Sequence, residues 1–157
     1  PLEPSNPDKS TLGHGHADHG SQTTSAQQGN RVRTGTTPSG RNGAPVSKAS
    51  HFRSPEVEAE ALSRARKKLN ADITEGQVSN YTATGEPTRH RVTVTTNDPN
   101  GFGYKVVKQK DAAGNVIRDS ADLPLTTTDP NPLMNAKVIF EYVPSTGEWQ
   151  PVTYFPS

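Results

Sequence analysis

AKVIFEYVPSTGEWQPVTYFPS, residues Ala136 to Ser157, is the stretch that decides the fold. A period of two puts Val138, Phe140 and Tyr142 on one face of an extended strand and Lys137, Ile139 and Glu141 on the other. Pro144-Ser145-Thr146-Gly147 supplies turn chemistry, Pro presetting φ and Gly permitting a positive one. Glu148 to Phe155 then returns as a second strand, rich in β-formers. Pro151 has no N–H for a ladder bond, so it belongs at an edge, a bulge or an outward-facing position. The hairpin holds five of the nine aromatic residues, the one Trp among them, which makes it the expected anchor of the core.

The preceding elements fit around it. Ser54-Pro55-Glu56 gives an N-cap, Pro at the first helical position and acid in the first turn. Val57, Ala61, Leu62, Ala65 and Leu69 form one apolar stripe, so the spacing predicts a helix over 55–69, closed by Asn70. Arg89 to Thr96 alternates as a strand, with His90, Val92 and Val94 on one side. Asn97 to Gly101 is a turn, Phe102 to Lys110 a second strand, and Val116 to Arg118 the return of a hairpin. The order of one helix and then an antiparallel meander defines an α+β class, a helix packed on a curved antiparallel sheet.

Residues 1–50 contrast with this. They contain no Phe, Tyr, Trp, Ile or Met, and their large aliphatics are Leu2, Leu12, Val32 and Val46. Backbone ordering costs about 1–2 kcal/mol per residue, and this composition offers little apolar burial against it. The expectation is a disordered tail or linker over 1–50 and a folded domain over 51–157. His14, His16, Asp18 and His19 concentrate metal-ligand types within six residues. The surrounding composition supplies nothing to preorganise such a site, so no functional metal and no cofactor are expected.

Charge names no partner: residues 1–50 carry five basic and three acidic residues, the remainder 12 and 13. Without Cys, disulfides, thiolate metal sites and a cysteine nucleophile are excluded. No apolar run approaches the ~20 residues of a membrane span. GxSxG, HExxH, P-loop and GxGxxG motifs are all missing. What remains is acid–base chemistry with cations. His90 lies on the Arg89–Thr96 strand between Arg89 and Arg91, and Lys105, Lys108 and Lys110 lie on the next. An imidazole to move the 2′-hydroxyl proton and cations to stabilise a phosphorane-like transition state are what a metal-independent ribonuclease requires. His51 is either a second acid or base or an exposed linker residue.

The segment PSTGEWQPVTYFPS resembles the closing hairpin of bacterial EndoU-like toxin nucleases, with Thr146-Gly147 at the turn and Tyr154-Phe155-Pro156 at the end. The whole layout is similar to the C-terminal effector of a bacterial polymorphic toxin of the Rhs, contact-dependent or type VI kind. A chain starting at Pro1 fits a fragment released from such a parent. The resemblance implies a barnase–EndoU–RelE-type endoribonuclease cleaving RNA, with tRNA a common target. It implies delivery into the cytoplasm of a competing cell, an upstream toxin shell or delivery apparatus, and a cognate immunity protein. On it, Tyr154 is the catalytic hydroxyl, while His90, His51, Arg91 and Lys105 are matched by role as catalytic groups. Arg89, Lys108 and Trp149 are the matching substrate-binding candidates, Trp149 as a stacking platform. Two other classes stay open: an NAD-dependent ADP-ribosyltransferase using Arg89 or Arg91 with Glu141 or Glu148, and a non-enzymatic β-rich binding domain.

Overall fold

In the computed structural model the terminal hairpin is β5 (Asn135–Val143) and β6 (Glu148–Pro156), and residues 14–157 are the described ones. Pro151 pairs with Phe140 at a register shift on β6, which is also an edge strand of its sheet. Its missing N–H is thus placed where a ladder bond is dispensable. Before the hairpin come α1 (Gly15–His19), α2 (Ser25–Arg33), β1 (Lys48–Phe52), α3 (Pro55–Thr74), β2 (Arg89–Thr95), β3 (Gly103–Lys108) and β4 (Thr126–Thr128). The class is α+β. The strands form two antiparallel sheets, ordered β1-β3-β4 and β2-β5-β6.

Helix α3 covers one face of β2-β5-β6. Ala61, Leu62, Ala65 and Leu69 pack on Val92, Val94, Val138, Phe140 and Trp149, all buried. Arg66 lies over the Phe140 ring, 4.9 Å from its centroid, and donates to the Trp149 carbonyl at 2.6 Å. The helix runs past Asn70 because its last turn is still employed. Ile73 packs against the core, and Asp72 lies 2.8 Å from His90 Nε2. Among the described residues no helix is long and apolar enough to cross a membrane.

Two expectations are corrected. The strands do not form a meander: β2 pairs with β5, while β3 pairs with β1 and β4. After the turn at Asp98–Gly101, Phe102 enters the core, 1% exposed, and this carries the chain from one sheet to the other. The linker over 1–50 is the second correction. Residues 1–13, including Leu2 and Leu12, lie outside the described residues. From residue 15 onward the segment holds α1, α2 and the first three residues of β1, so a boundary at 50/51 would cut a strand.

Polar burial replaces apolar burial in this segment. Thr24 and Gln27 close α2 with a reciprocal capping box, which satisfies two otherwise unpaired N–H groups. Gln28 is fully buried and donates to the Asp18 carbonyl at 2.6 Å and to Thr23 Oγ1 at 3.1 Å. Gly29 allows α2 to approach β4, since a Cβ there would stand 2.8 Å from Thr126 Oγ1. Val32 is the apolar residue that α2 buries.

The packing of Trp149 is directly testable. Trp149→Ala removes a 7%-exposed ring stacked edge-on with Tyr142, and urea unfolding should show a loss of about 3–5 kcal/mol. A loss under ~1 kcal/mol would contradict its place in the core.

Candidate active site

The site is assembled where α1 and α2 meet the two sheets. Helix α1 runs along the open edge of β6, its start fixed by the His14 N–H donating to the Val152 carbonyl at 3.1 Å. Gly15 is required there, because a Cβ would fall 2.3 Å from the Tyr154 ring. Three groups converge on Glu58, which is fully buried in the first turn of α3. His16 Nδ1 lies 2.7 Å from Oε2, the Tyr154 hydroxyl donates to the same oxygen at 3.0 Å, and the Ser21 N–H donates to Oε1 at 3.0 Å. One carboxylate therefore joins α1, α3 and β6, at the helix end where the macrodipole favours negative charge.

Beyond this clasp lies a cavity of about 250 Å³, walled by His19, Arg31, Lys48, Ser50, Lys105, Lys137 and Phe155 among others. Lys137 and Phe155 are cross-strand partners on β5 and β6, and Ser50 and Lys105 are partners on β1 and β3. The wall carries four cationic side chains and no carboxylate side chain. The Lys105 ammonium has one acidic neighbour close by, Asp129 at 3.8 Å.

His19 is the titratable group whose setting is most specific. Its ring tilts against Phe155 at 5.5 Å between centroids. Nδ1 lies 2.7 Å from the Ser50 carbonyl, an acceptor only, so Nδ1 carries the proton and donates it. The ring retains some surface toward the cavity, while protein crowds its remaining sides. Burial lowers its pKa to about 4; the Ser50 carbonyl opposes this and the Arg31 charge adds to it. At neutral pH the imidazole is uncharged, and the lone pair on Nε2 accepts a hydrogen bond from Arg31 Nη1 at 3.3 Å. Burial likewise pulls Arg31 down from its usual value, with Asp18 opposing. Asp18 is itself buried, which pushes its carboxyl up. Hydrogen bonds from Ser39 and Arg41 more than offset that and leave it lowered.

Of the residues expected at a site, Lys105 lines the cavity and Lys108 lines a groove beside it. The others are placed elsewhere. His90 is paired with Asp72, and Arg89 with Glu141 at 2.8 Å; that ion pair joins two groups considered for NAD chemistry. Arg91 is exposed on β2. His51 sits on β1 opposite Tyr104, its pKa lowered by burial with the Thr23 backbone opposing. Tyr154 is fully buried with its hydroxyl on Glu58, and Trp149 is a core residue. Neither presents its ring to the cavity.

The His-rich segment is not a ligand cluster. His16, Asp18 and His19 turn to Glu58, Arg41 and Ser50 respectively. His19 and Arg31 lie in the segment read as linker and were missed there. The signal that locates Arg31 is the Thr24-x-x-Gln27 capping box, which marks the start of α2 without any apolar pattern; α1, which carries His19, has no such cap.

No protein-family model and no curated protein matches the chain. A chain of the crystal structure of the CdiA-CT/CdiI complex from Y. kristensenii 33638 is similar in structure. It is 20% identical, with a TM-score of 0.53 over 90% of this chain and 97% of that one. At that identity the likeness is one of fold.

The His19 setting predicts a pH dependence. Between about 6.5 and about 4 the unfolded chain binds a proton that the folded chain refuses. The unfolded state then holds more protons, so stability falls as pH falls through this window and is constant above it. His19→Asn keeps a donor for the Ser50 carbonyl and removes the titration. Urea unfolding at stepped pH should give the variant a shallower loss between pH 6.5 and 4; parallel curves would show that His19 is not held neutral.

Proposed function

We propose that this chain is the toxic domain of an interbacterial competition system and acts as an endoribonuclease. The observation that carries the chemistry is the neutral imidazole of His19, its Nε2 lone pair beside Arg31, in a cavity walled by lysines and free of carboxylate side chains. In the proposed reaction Nε2 takes the proton of a ribose 2′-hydroxyl. The 2′-oxygen attacks the adjacent phosphorus, and the bond to the 5′-oxygen breaks. A lysine ammonium of the wall, Lys105 or Lys137, supplies the proton to that leaving oxygen. Arg31 and the remaining lysines stabilise the charge that builds on the phosphoryl oxygens. The products are a 2′,3′-cyclic phosphate and a 5′-hydroxyl.

A pKa near 4 makes His19 a weak base in the free protein. A bound phosphodiester changes this in two ways, by adding negative charge beside the ring and by drawing the Arg31 guanidinium toward itself. Both raise the imidazole's pKa toward the range where general bases are effective.

The shared fold with a chain of a CdiA-CT/CdiI complex supports the toxin reading and, with it, a cognate immunity protein and delivery into a target cell. The ADP-ribosyltransferase alternative has less support. Arg89 and Glu141 are engaged with each other, and Glu148 is exposed at the end of the hairpin.

The test is cleavage of a defined RNA strand in the presence of EDTA, with the new ends analysed chemically. His19→Ala should lower the rate by roughly 10²–10⁴-fold, Arg31→Ala should lower it and move the acid limb of kcat/KM to higher pH, since the Arg31 charge helps to depress the His19 pKa, and His90→Ala should remain active. The acid limb of kcat/KM should fall near pH 4 and that of kcat at higher pH. An active His19→Ala variant, or 3′-phosphate ends formed without a cyclic intermediate, would overturn the assignment. Intact RNA together with transfer of label from NAD would favour the transferase.

A further inference from the structure

Beside the cavity lies a second groove, lined by Lys105, Val107, Lys108, Lys110, Val116 and Asp129 among others. Lys105 belongs to both walls, so the two depressions adjoin there. Lys48, on the cavity wall, pairs across the sheet with Val107, on the groove wall, which ties the two a second time. Residues of both strand parities line the groove because β3 ends at Lys108 and the chain turns into the Lys110–Val116 bridge. Three lysines face one carboxylate, Asp129, which already lies against Lys105. Asp111, next to Lys110, is occupied in its own turn, accepting the Ala113 and Asn115 N–H groups at 2.9 Å.

We infer that this groove is an extended subsite for the phosphate backbone of a single RNA strand, which leaves the cavity over Lys105 and passes Lys108 and Lys110. The proposal deepens the ribonuclease reading by naming the substrate as a strand several nucleotides long, and it rests on that reading for the identity of its ligand. A cationic groove of limited depth suits a flexible backbone. Phosphate contacts position a strand without reading its sequence, so the groove adds affinity that grows with strand length and falls with salt.

Binding tests this independently of cleavage. The probes are uncleavable 2′-O-methyl RNA strands of three and ten nucleotides, labelled for anisotropy and titrated at several salt concentrations. The parent should bind the longer strand more tightly and with a steeper salt dependence. Lys108→Ala/Lys110→Ala should reduce the log–log salt slope for the ten-nucleotide strand by about 1.4, at ~0.7 per single-strand phosphate contact, and leave the three-nucleotide strand unaffected. Lys110→Glu should lower the long-strand affinity more than Lys110→Ala does. A parent with no length advantage, or a double variant with the parent's slope, overturns the subsite. If the long strand binds through these lysines yet its unmodified counterpart is never cut, the subsite stands and the catalytic reading falls.

Discussion

Glu58 is the interaction on which the rest of the molecule depends. A fully buried carboxylate must be compensated by hydrogen bonds or charge, since an unpaired one costs several kcal/mol. Here the compensation comes from three directions at once: His16 on α1, the Ser21 N–H just after it, and the Tyr154 hydroxyl on β6. The requirement to satisfy one ionisable group thus fixes a short helix that could not hold its place by propensity alone. With α1 fixed, His19 three residues after His16 is directed at the seam between the sheets.

The cavity follows from that seam. The Ser50 hydroxyl donates to the Pro156 carbonyl at 2.8 Å, and the Leu133 N–H donates to the Gly103 carbonyl at 2.8 Å, so the two sheets are joined through β1, β3, β6 and the approach to β5. Lysines from β1, β3 and β5 and an arginine from α2 are then gathered around one imidazole. Like charges repel, and Asp129 at 3.8 Å from Lys105 and the Asp18 charge acting on Arg31 oppose that repulsion. An anionic ligand would relieve the remainder. Burial, with the Arg31 charge adding to it, holds His19 neutral.

The terminal hairpin was legible because each of its signals is local. Alternation, the Pro-to-Gly turn and the position of Pro151 all act within a few residues. The start of α3 was legible for the same reason, its cap and proline being adjacent in the chain. Its end was not, since the contacts of Asp72 and Ile73 are long-range. Lys105 stood out as a lysine on the strand after His90, and it lines the cavity half-buried. His90 drew attention as the imidazole on the clearest strand, yet its partner is a carboxylate on α3.

By itself the sequence determined the α+β class, the hairpin with its aromatic core and the lack of thiol chemistry. These depend on periodicity, turn residues and composition. Only the tertiary structure decided that the strands divide into two sheets, that residues 15–50 contribute two helices and part of β1, and that His19 and Arg31 meet. The physical reason is that these features rest on polar burial rather than apolar periodicity. Asp18 and Glu58 are buried because partners far away in the chain satisfy them, and a polar residue carries no mark in the sequence of the partner that will let it be buried.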